Sequence, residues 1–550
     1  MRSLVSGASV SAMDCSTDLV RQIPLCLSRT AMPGKLTPGT DLGHREQAAP
    51  PRGCTTQARP TTRATPSGVD RTRTDPSIPV LVTRSATSRH EADTRVRENR
   101  TVIVPASEPS TTPIPVDGTS QVSSSRRVAA GGAVALLCLA AVLLEATADL
   151  LPDDPVVGVL TPVRLVLGIG LVGAAVGGVG LRRWRTPLDP AIAALLLAAA
   201  AATVVAGQPW AAWRGVLTAA ATYYLVVGVR RAMPGSESAF GLLALVAVAV
   251  AGSVAARQAA AGTSTGFCRG ALDGSADVCG PDAVIRAVGT FSNPNLLAAF
   301  LVLLLPVAAA GAARLADHAS RLLAAGIVVV GYAAVLLTAS RGGVLAAVAG
   351  VVVFVVVRRS VSNGDGARRR RTGTGVALLL GVVCSAVAAG AALLLLAPDG
   401  LVGVRAEVWT AAVRLTAEHP LGVGPGRAGA LLDAAIPGDE AFQHAHDLWL
   451  NWAVETGVPG LVAVLALTVG TAIGIVRATR AGSAMAAAAG AGLAGFAVMS
   501  VADHPGNAIR VSIALWAVLA LVAAEVPVRT RRRWRPSQPA TRVRSRSGSR

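Results

Sequence analysis

The chain has 550 residues, of which 52% are hydrophobic and 15% are charged, and its mean hydropathy is +0.53. This composition is too apolar for a soluble protein of that length and predicts an integral membrane protein. The formal net charge of +19 comes almost wholly from arginine. Because the arginines gather in short loops and in the two tails, and form no basic stripe, nucleic-acid binding is not expected.

The two ends of the chain differ in composition from its centre. Residues 1–127 are rich in Ser, Thr, Pro and Arg and have no sustained hydrophobic period, which predicts a disordered cytoplasmic tail. Residues 527–550 form a second, basic tail that is also expected in the cytoplasm. The segment between them, residues 128–526, is predicted to be one transmembrane domain.

This central segment contains apolar runs of about 20 residues, the length that crosses a bilayer. The expected fold is therefore all-α, a polytopic bundle of about twelve transmembrane helices. Its many Ala, Val and Gly residues suit close packing of helix against helix. The predicted spans are 128–147, 156–181, 188–206, 210–229, 239–257, 294–314, 321–339, 342–358, 375–397, 455–477, 481–501 and 508–526.

The positions of arginine predict the orientation of these helices, because basic loops tend to stay in the cytoplasm. If Arg126 and Arg127 are cytoplasmic, every second loop should be basic, and each of those loops contains arginine. The alternate loops are acidic, neutral or long, and the longest of them, residues 398–454, precedes the tenth helix. Both termini are therefore expected in the cytoplasm, and the long loop is expected on the outer side.

Arginines also occur in the predicted outer loops, against this trend. Arg286 lies before the sixth span, Arg341 lies in the short TASRGG turn, and Arg405 lies in the long loop. Each one alone has a structural explanation, such as a side chain that snorkels at a helix end in the case of Arg341. Together, three guanidinium groups are what an outer diphosphate-binding site needs, because guanidinium binds phosphate oxygens in bidentate fashion.

The long loop ends in the sequence HAHD. His444 and His446 are predicted to be poor joint metal ligands, because residues two apart point to opposite faces of a strand or about 200° apart on a helix. No metal site is therefore expected. One imidazole suits a general base for a sugar hydroxyl, with Asp447 orienting it, although a structural histidine at the membrane interface is the simpler alternative. Glu407 is a further carboxylate candidate.

Two other features of the predicted outer loops have weaker signals. Cys268 and Cys279 fall in one polar loop, where a disulfide would stiffen the segment that carries Arg286. The glycines of GVGPG, residues 422–426, allow a tight or left-handed backbone, and a turn that cradles phosphate is one interpretation.

These outer segments resemble, in order and spacing, the O-antigen ligase and polymerase superfamily of polytopic bacterial membrane proteins. The matching segments are RAVGTFSNPNLLAAFLVLLLP, TASRGG, RAEVWTAAVRLTAEHPLGVGPGRAG and HAHDLWLNWAVETGVPGLV. The most specific features are Arg-x-x-x-Trp, Pro-x-Gly-x-Gly, and the histidine motif followed by Glu-x-Gly-x-x-Gly. The resemblance covers about residues 128–526. It implies a multi-pass GT-C glycosyltransferase of the bacterial plasma (inner) membrane, which uses a polyprenyl-diphosphate-linked glycan as donor and needs no metal or nucleotide cofactor.

The resemblance also implies roles for individual residues. Arg286, Arg341 and Arg405 would contact the diphosphate, and His446 would activate the acceptor hydroxyl with His444 beside it. Asn295 and Glu407 are candidate supporting residues. In the family the residue after the histidine is often Asn or Ser, whereas Asp447 follows it in this chain.

Several functions stay open at this level. A polymerase and a ligase use the same donor and differ in the acceptor, which is a glycan, a lipid or a protein. A different alternative is a multi-pass transporter of a small anion such as bicarbonate. A transporter is expected to hold its polar groups near the middle of the membrane and to show repeat symmetry, whereas here they cluster in predicted outer loops. A membrane scaffold without catalysis would not need the arginine and histidine cluster.

Overall fold

The computed structural model describes residues 118–151, 160–177, 180, 183–262, 265, 267–269, 284–362, 403–436 and 442–526. These residues form thirteen α-helices, which confirms the predicted all-α fold. The helices are α1 (Gly118–Ala148), α2 (Pro162–Val176), α3 (Asp189–Val205), α4 (Arg214–Ala232), α5 (Glu237–Ala261), α6 (Pro294–Ala312), α7 (His318–Leu337), α8 (Arg341–Ser362), α9 (Gly403–Glu418), α10 (Ala428–Ala435), α11 (Leu448–Arg480), α12 (Ala484–Ser500) and α13 (Ile509–Glu525). Two short strands, β1 (Cys268–Arg269) and β2 (Val284–Ile285), pair antiparallel with Cys268 opposite Ile285.

Each predicted span except the ninth overlaps a helix of the described residues, although α2, at Pro162–Val176, is shorter than the predicted span 156–181. The ninth, 375–397, lies outside them, as do residues 1–117 and 527–550. One boundary is corrected, because α1 begins at Gly118 and the last part of the predicted tail is therefore helical. Five helices are long and apolar enough to cross a membrane, namely α1 from Val128, α5, α6, α7 and α11, while α2, α3, α8 and α12 are apolar but shorter. The number of twelve spans stays a prediction.

Helix α6 lies at the centre of the bundle. Most of its side chains are buried, as expected for a helix that is apolar on all faces. It packs against α5, α7, α8, α12 and α13. A close approach to α12 is possible because Gly492 lies directly against the carbonyl of Leu303, where a Cβ atom would clash. The start of α6 is consequently a rigid platform for the residues that precede and follow Pro294.

A smaller hydrophobic core lies in the predicted long loop. We call residues 403–436 and 442–456 the loop subdomain; it comprises α9, α10 and the segment that leads into α11. Its core is separate from that of the bundle. The buried residues of this core are Val408, Ala412, Val423, Ala428, Leu432, Ile436, Phe442, Ala445 and Val454.

The loop subdomain joins the bundle at a sharp bend in α11. Gly457 has φ 70° and ψ −171°, a conformation that is essentially restricted to glycine. The chain folds back there, so that Nε1 of Trp449 donates a hydrogen bond of 3.2 Å to the Thr468 hydroxyl. The bend is fixed by the loop before α10, since the N–H of Val458 donates to the carbonyl of Pro420 over 2.9 Å.

Candidate functional site

Asp503 is the centre of a polar cluster in the short loop between α12 and α13. Its Oδ1 atom lies 3.6 Å from Nε2 of His444 and 3.8 Å from Nδ1 of His446. The same atom accepts a hydrogen bond of 2.8 Å from the backbone N–H of His504. Its Oδ2 atom accepts a hydrogen bond of 3.1 Å from Nδ2 of Asn295. One carboxylate therefore joins residues that are far apart in the chain.

The electrostatics of the cluster keep this carboxylate ionised. Burial alone would raise the pKa of Asp503, but the facing His446 and His444 side chains and the His504 N–H outweigh burial and lower it below its ordinary value. His504 itself is buried, and burial lowers its pKa to about 3. Its imidazole is therefore neutral at physiological pH. The Asp503 carboxylate therefore keeps its negative charge, and the neighbouring His504 does not neutralise it.

Arg286 enters the cluster from the segment after β2. Its Nε donates to the carbonyl of Thr338 over 2.9 Å, and its Nη2 donates to Oδ1 of Asn295 over 3.0 Å. The next residue, Ala287, donates its N–H to the carbonyl of Leu337 over 3.0 Å. The arginine is consequently fixed between the C-terminal end of α7 and the first turn of α6.

Arg341 begins α8, three residues after Thr338, and its side chain is exposed. Three residues of chain span at most about 11 Å. Because the Thr338 carbonyl binds Arg286, the backbone of Arg341 lies within that distance of the contact. The structure thus brings the TASRGG turn to the segment that carries Arg286, while a shared role of the two arginines in one site stays a prediction.

The loop subdomain contributes one face of α9. Arg405 and Trp409 are one helical turn apart and therefore share a face. Nε1 of Trp409 donates to the carbonyl of His446 over 3.4 Å, and the positive charge of Arg405 is near enough to lower the pKa of His444. This geometry explains the Arg-x-x-x-Trp spacing. Glu407 is exposed and, two residues from Arg405, lies on the other side of α9, so the structure does not bring it into the cluster.

The expected orientation of the two histidines is wrong. Their rings lie 4.5 Å apart and both face Asp503. The expectation assumed regular backbone, whereas His446 has φ 50°, in the left-handed region that His adopts more often than most residues. This backbone brings the His446 N–H to within 3.1 Å of Nδ1 of His444.

The two histidines differ in their hydrogen bonds. Nδ1 of His444 accepts the His446 N–H, so neutral His444 carries its proton on Nε2, which faces Asp503. The pKa of His444 is lowered to about 4, mainly by burial and also by the charges of His446 and Arg405, against the opposing effect of Asp503. His446 presents Nδ1 to Asp503 and is more exposed, with 30% of its side chain accessible against 15% for His444.

Asp447 and Glu455 have structural contacts. Asp447 caps the N-terminus of α11 and accepts a hydrogen bond of 2.7 Å from the Leu450 N–H, while burial raises its pKa to about 6. The carboxylate that faces the imidazoles is therefore that of Asp503, where the sequence had suggested Asp447. Glu455 is buried and bonded to Asn451 and to the backbone N–H of Gly426.

The GVGPG segment packs on the chain around Gly457. The N–H of Val423 donates to the carbonyl of Val454 over 3.0 Å, and the N–H of Gly424 donates to that of Glu455 over 2.9 Å. A Cβ atom at Gly422 would clash with the same backbone. The Pro-x-Gly-x-Gly and Glu-x-Gly motifs consequently fit against each other, which explains their glycines without a phosphate.

His444, His446 and Asp503 offer ligand atoms within 4.8 Å of one another, a spacing that a metal ion could bridge. The hydrogen bonds do not fit this use. A cation needs a lone pair on Nε2 of His444, but that atom carries the proton as long as Nδ1 accepts the His446 N–H. The cluster therefore suits proton transfer better than metal binding. Cys279 lies outside the described residues, so its pairing with Cys268 stays a prediction.

Sequence reasoning missed Asp503, His504 and Arg510. Arg510 donates to the carbonyls of Ala146 (2.9 Å) and Thr290 (2.7 Å) and lies 4.3 Å from the centroid of the Phe291 ring. It therefore ties the end of α1 to the segment between Arg286 and Asn295. The only sequence signal for these residues is that the predicted outer loop ADHPGN, with Arg510 close behind, is polar between two apolar spans.

Comparison with protein families places the chain beside a known group. Residues 325–465 match the family model Wzy_C, described as O-antigen ligase. The matched range contains Arg341, Arg405 and His446, whereas Arg286 and Asp503 lie on either side of it. No curated protein matches the chain significantly.

Proposed function

We propose that this chain, a member of the O-antigen ligase and polymerase superfamily through residues 325–465, is a membrane glycosyltransferase that takes glycan from a polyprenyl-diphosphate-linked donor. Membrane glycan assembly of the O-antigen ligase type is the function of the matched family. The donor, the acceptor and the side of the membrane belong to the proposal. The acceptor is a glycan, a lipid or a protein, with polymerase-like and ligase-like transfer both open.

One observation carries the proposal. Arginine, carboxylate and imidazole groups from separate parts of the chain converge on Asp503, with Arg286 linked to it through Asn295 and His446 facing it at 3.8 Å. An anion site beside a carboxylate–imidazole pair matches the two requirements of glycosyl transfer from a diphosphate, which are charge neutralisation on the leaving group and a base for the acceptor.

The arginines are assigned to the donor. Arg286 is held at the cluster, Arg341 lies on the adjoining turn, and Arg405 faces the histidine segment. Guanidinium stays protonated and matches phosphate oxygens in bidentate fashion. As the bond between the anomeric carbon and the diphosphate oxygen breaks, negative charge grows on the leaving prenyl diphosphate. Fixed positive charges stabilise that charge and lower the barrier.

His446 is assigned as the base. If Nδ1–H of His446 points to Asp503, Nε2 keeps a lone pair that accepts the proton of the acceptor hydroxyl as its oxygen bonds to the anomeric carbon. Asp503 then stabilises the imidazolium. His444 is less suited, because its Nδ1 is occupied by the His446 N–H and its pKa is lowered to about 4. Its contribution is to fix the backbone of His446.

The position of the polar groups favours an enzyme over an anion transporter. Asn295 lies in the first turn of α6, Arg341 begins α8, and Asp503 follows α12. All are at helix ends, whereas a transporter holds its substrate near the middle of the membrane. In this proposal the cluster lies at the extracytoplasmic face and both termini lie in the cytoplasm of a bacterial plasma membrane, which the arginine alternation along the chain supports.

The test is a glycan-transfer assay with the purified full-length protein in lipid nanodiscs. The donor is a polyprenyl-diphosphate-linked glycan isolated from the bacterium that encodes the protein. The expected result is longer or transferred glycan with release of prenyl diphosphate. Arg405→Ala and His446→Ala should insert and fold normally but lose transfer by about 100-fold or more, because base and charge stabilisation are removed. Transfer at the normal rate by both variants would disprove the assignment.

A further inference from the structure

Asn295 lies between the two charged groups of the cluster. Its Oδ1 atom accepts from Nη2 of Arg286 over 3.0 Å, and its Nδ2 atom donates to Oδ2 of Asp503 over 3.1 Å. The backbone of Asn295 is fixed at the start of α6, because Pro294 begins the helix and Oδ1 of Asn293 caps it by accepting the Asn295 N–H over 2.8 Å. An amide thus separates a guanidinium from a carboxylate.

The chemistry of the three groups fixes the orientation of that amide. Guanidinium only donates hydrogen bonds and an ionised carboxylate only accepts them. The amide must therefore turn its oxygen to Arg286 and its nitrogen to Asp503. Asparagine carries its acceptor and its donor on two separate atoms of one amide, so neither Asp nor Ala at position 295 reproduces both contacts.

We infer that Asn295 is a positioning residue that keeps Arg286 and Asp503 from pairing directly. This inference rests on the proposed function, in which Arg286 binds the diphosphate and Asp503 serves His446. Both charged groups bond to the same amide, so removing the amide leaves them facing each other across the vacated space. An arginine and a carboxylate that come within reach of each other pair strongly, frequently in bidentate fashion.

A direct ion pair between Arg286 and Asp503 would impair both donor binding and the support of the base. The ion pair between Arg286 and Asp503 would have to break before the guanidinium could bind a diphosphate, so donor binding would weaken. The carboxylate would turn toward Arg286 and away from His446, so the imidazolium would lose its stabilising charge. Asn295 therefore reserves each group for its own partner.

Binding of farnesyl diphosphate, a short prenyl diphosphate, to the full-length protein in nanodiscs tests this inference. Asn295→Ala should weaken binding about tenfold, the size of one hydrogen bond to a charged group. The double variant Asn295→Ala with Asp503→Asn should regain binding to within about threefold of the wild type, because residue 503 then carries no carboxylate that could pair with Arg286. Mere structural damage at position 295 would not be repaired by a second substitution.

The matched control is Asn293→Ser, on the same turn, where serine still caps the helix; its binding should equal that of the wild type. If Arg286→Ala binds weakly, the proposed donor site stands. In that case, wild-type binding by Asn295→Ala, or failure of the double variant to regain binding, would overturn only the inference about Asn295. Wild-type binding by Arg286→Ala would overturn the proposed donor site and this inference with it. Melting temperatures of all variants establish that each one is folded.

Discussion

The loop subdomain and the helical bundle each supply half of the polar cluster, and they hold their halves in different ways. In the subdomain, which has a small core of its own, Trp409 donates a hydrogen bond to the carbonyl of His446. In the bundle, Asn295 and Asp503 lie at the ends of α6 and α12, whose side chains are mostly buried in the main core. The comparison indicates that the bundle fixes its half through many contacts, whereas the subdomain depends on few.

The junction between the halves is the loosest part of the cluster. Asp503 lies 3.6 Å and 3.8 Å from the two imidazoles, which is longer than a hydrogen bond. Catalytic hydrogen bonds are often long without substrate and shorten in the complex. The predictions below test, in order of decreasing effect, what each half contributes.

The largest effect is expected at the carboxylate of the bundle. Asp503→Asn should lower transfer by about 100-fold or more, because the neutral amide cannot stabilise the imidazolium of His446. Asp447→Asn in the subdomain should change transfer by less than about threefold, because Asn caps a helix as well as Asp does. Rates of glycan transfer by the two purified variants are the measurement. Equal losses would mean that Asp447, as the sequence first suggested, also acts on the histidines.

The bend at Gly457 should be the most sensitive point of the subdomain. Gly457→Ala should lower the stability by about 3 kcal/mol, since φ 70° with ψ −171° is a conformation for glycine and a Cβ atom would meet the Pro420 and Leu421 backbone. Transfer should fall with it, because His446 moves relative to Asp503.

Gly482 is the matched control for this bend. It also has a positive φ, of 92°, but a Cβ atom there meets open space. Gly482→Ala should therefore cost about 1 kcal/mol and leave transfer unchanged. Thermal unfolding in detergent compares the two variants. A Gly457→Ala protein as stable as Gly482→Ala would show that the bend does not hold the subdomain in place.

Acid should destabilise the junction. The pKa of His504 is about 3 in the folded protein, against an ordinary value of 6.5, so the unfolded chain binds a proton between these values and the folded chain does not. Stability on account of His504 is therefore complete above pH 6.5 and is lost as the pH falls toward 3, by about 1.4 kcal/mol per pH unit. His444 adds to this loss down to about pH 4, and Asp447, with a pKa raised to about 6, partly opposes it.

The variant His504→Gln isolates this contribution. It cannot be protonated, so its melting temperature should fall less than that of the wild type between pH 7 and pH 5, with a difference of a few degrees. His318→Gln, at the exposed start of α7, is the control and should follow the wild type. Parallel curves for His504→Gln and the wild type would contradict a neutral buried imidazole.

The comparison of the two halves also explains what the sequence could predict. The subdomain motifs were recognisable because their residues recur at short, regular spacing, as Arg405 and Trp409 do on one face of α9. Arg286 and Arg341 were found because arginine is unexpected in a predicted outer loop. The helices followed from their apolar length, which is why nearly every predicted span has a helix.

Other parts of the site have no local signal. Asp503 comes from a loop that is adjacent to the histidines only after the bundle has packed, so no spacing in the sequence indicates it. The geometry of His444 and His446 depends on one residue with φ 50°, which a regular helix or strand pattern excludes. The contact of Asp447 with the Leu450 N–H could not be foreseen, because an aspartate before a helix can serve either as its cap or as a partner of the preceding histidine.

The smallest effect is expected where the subdomain holds His446 by its backbone. Trp409→Phe removes the 3.4 Å hydrogen bond to the His446 carbonyl but keeps most of the ring. Transfer should therefore fall by about threefold to tenfold, the size of one neutral hydrogen bond, with little change in donor binding. Trp449→Phe is the control, since its indole bonds the exposed Thr468 away from Asp503, and its transfer should match the wild type. A loss for Trp409→Phe as large as that for Asp503→Asn would mean that the subdomain fixes its half of the site through this single contact.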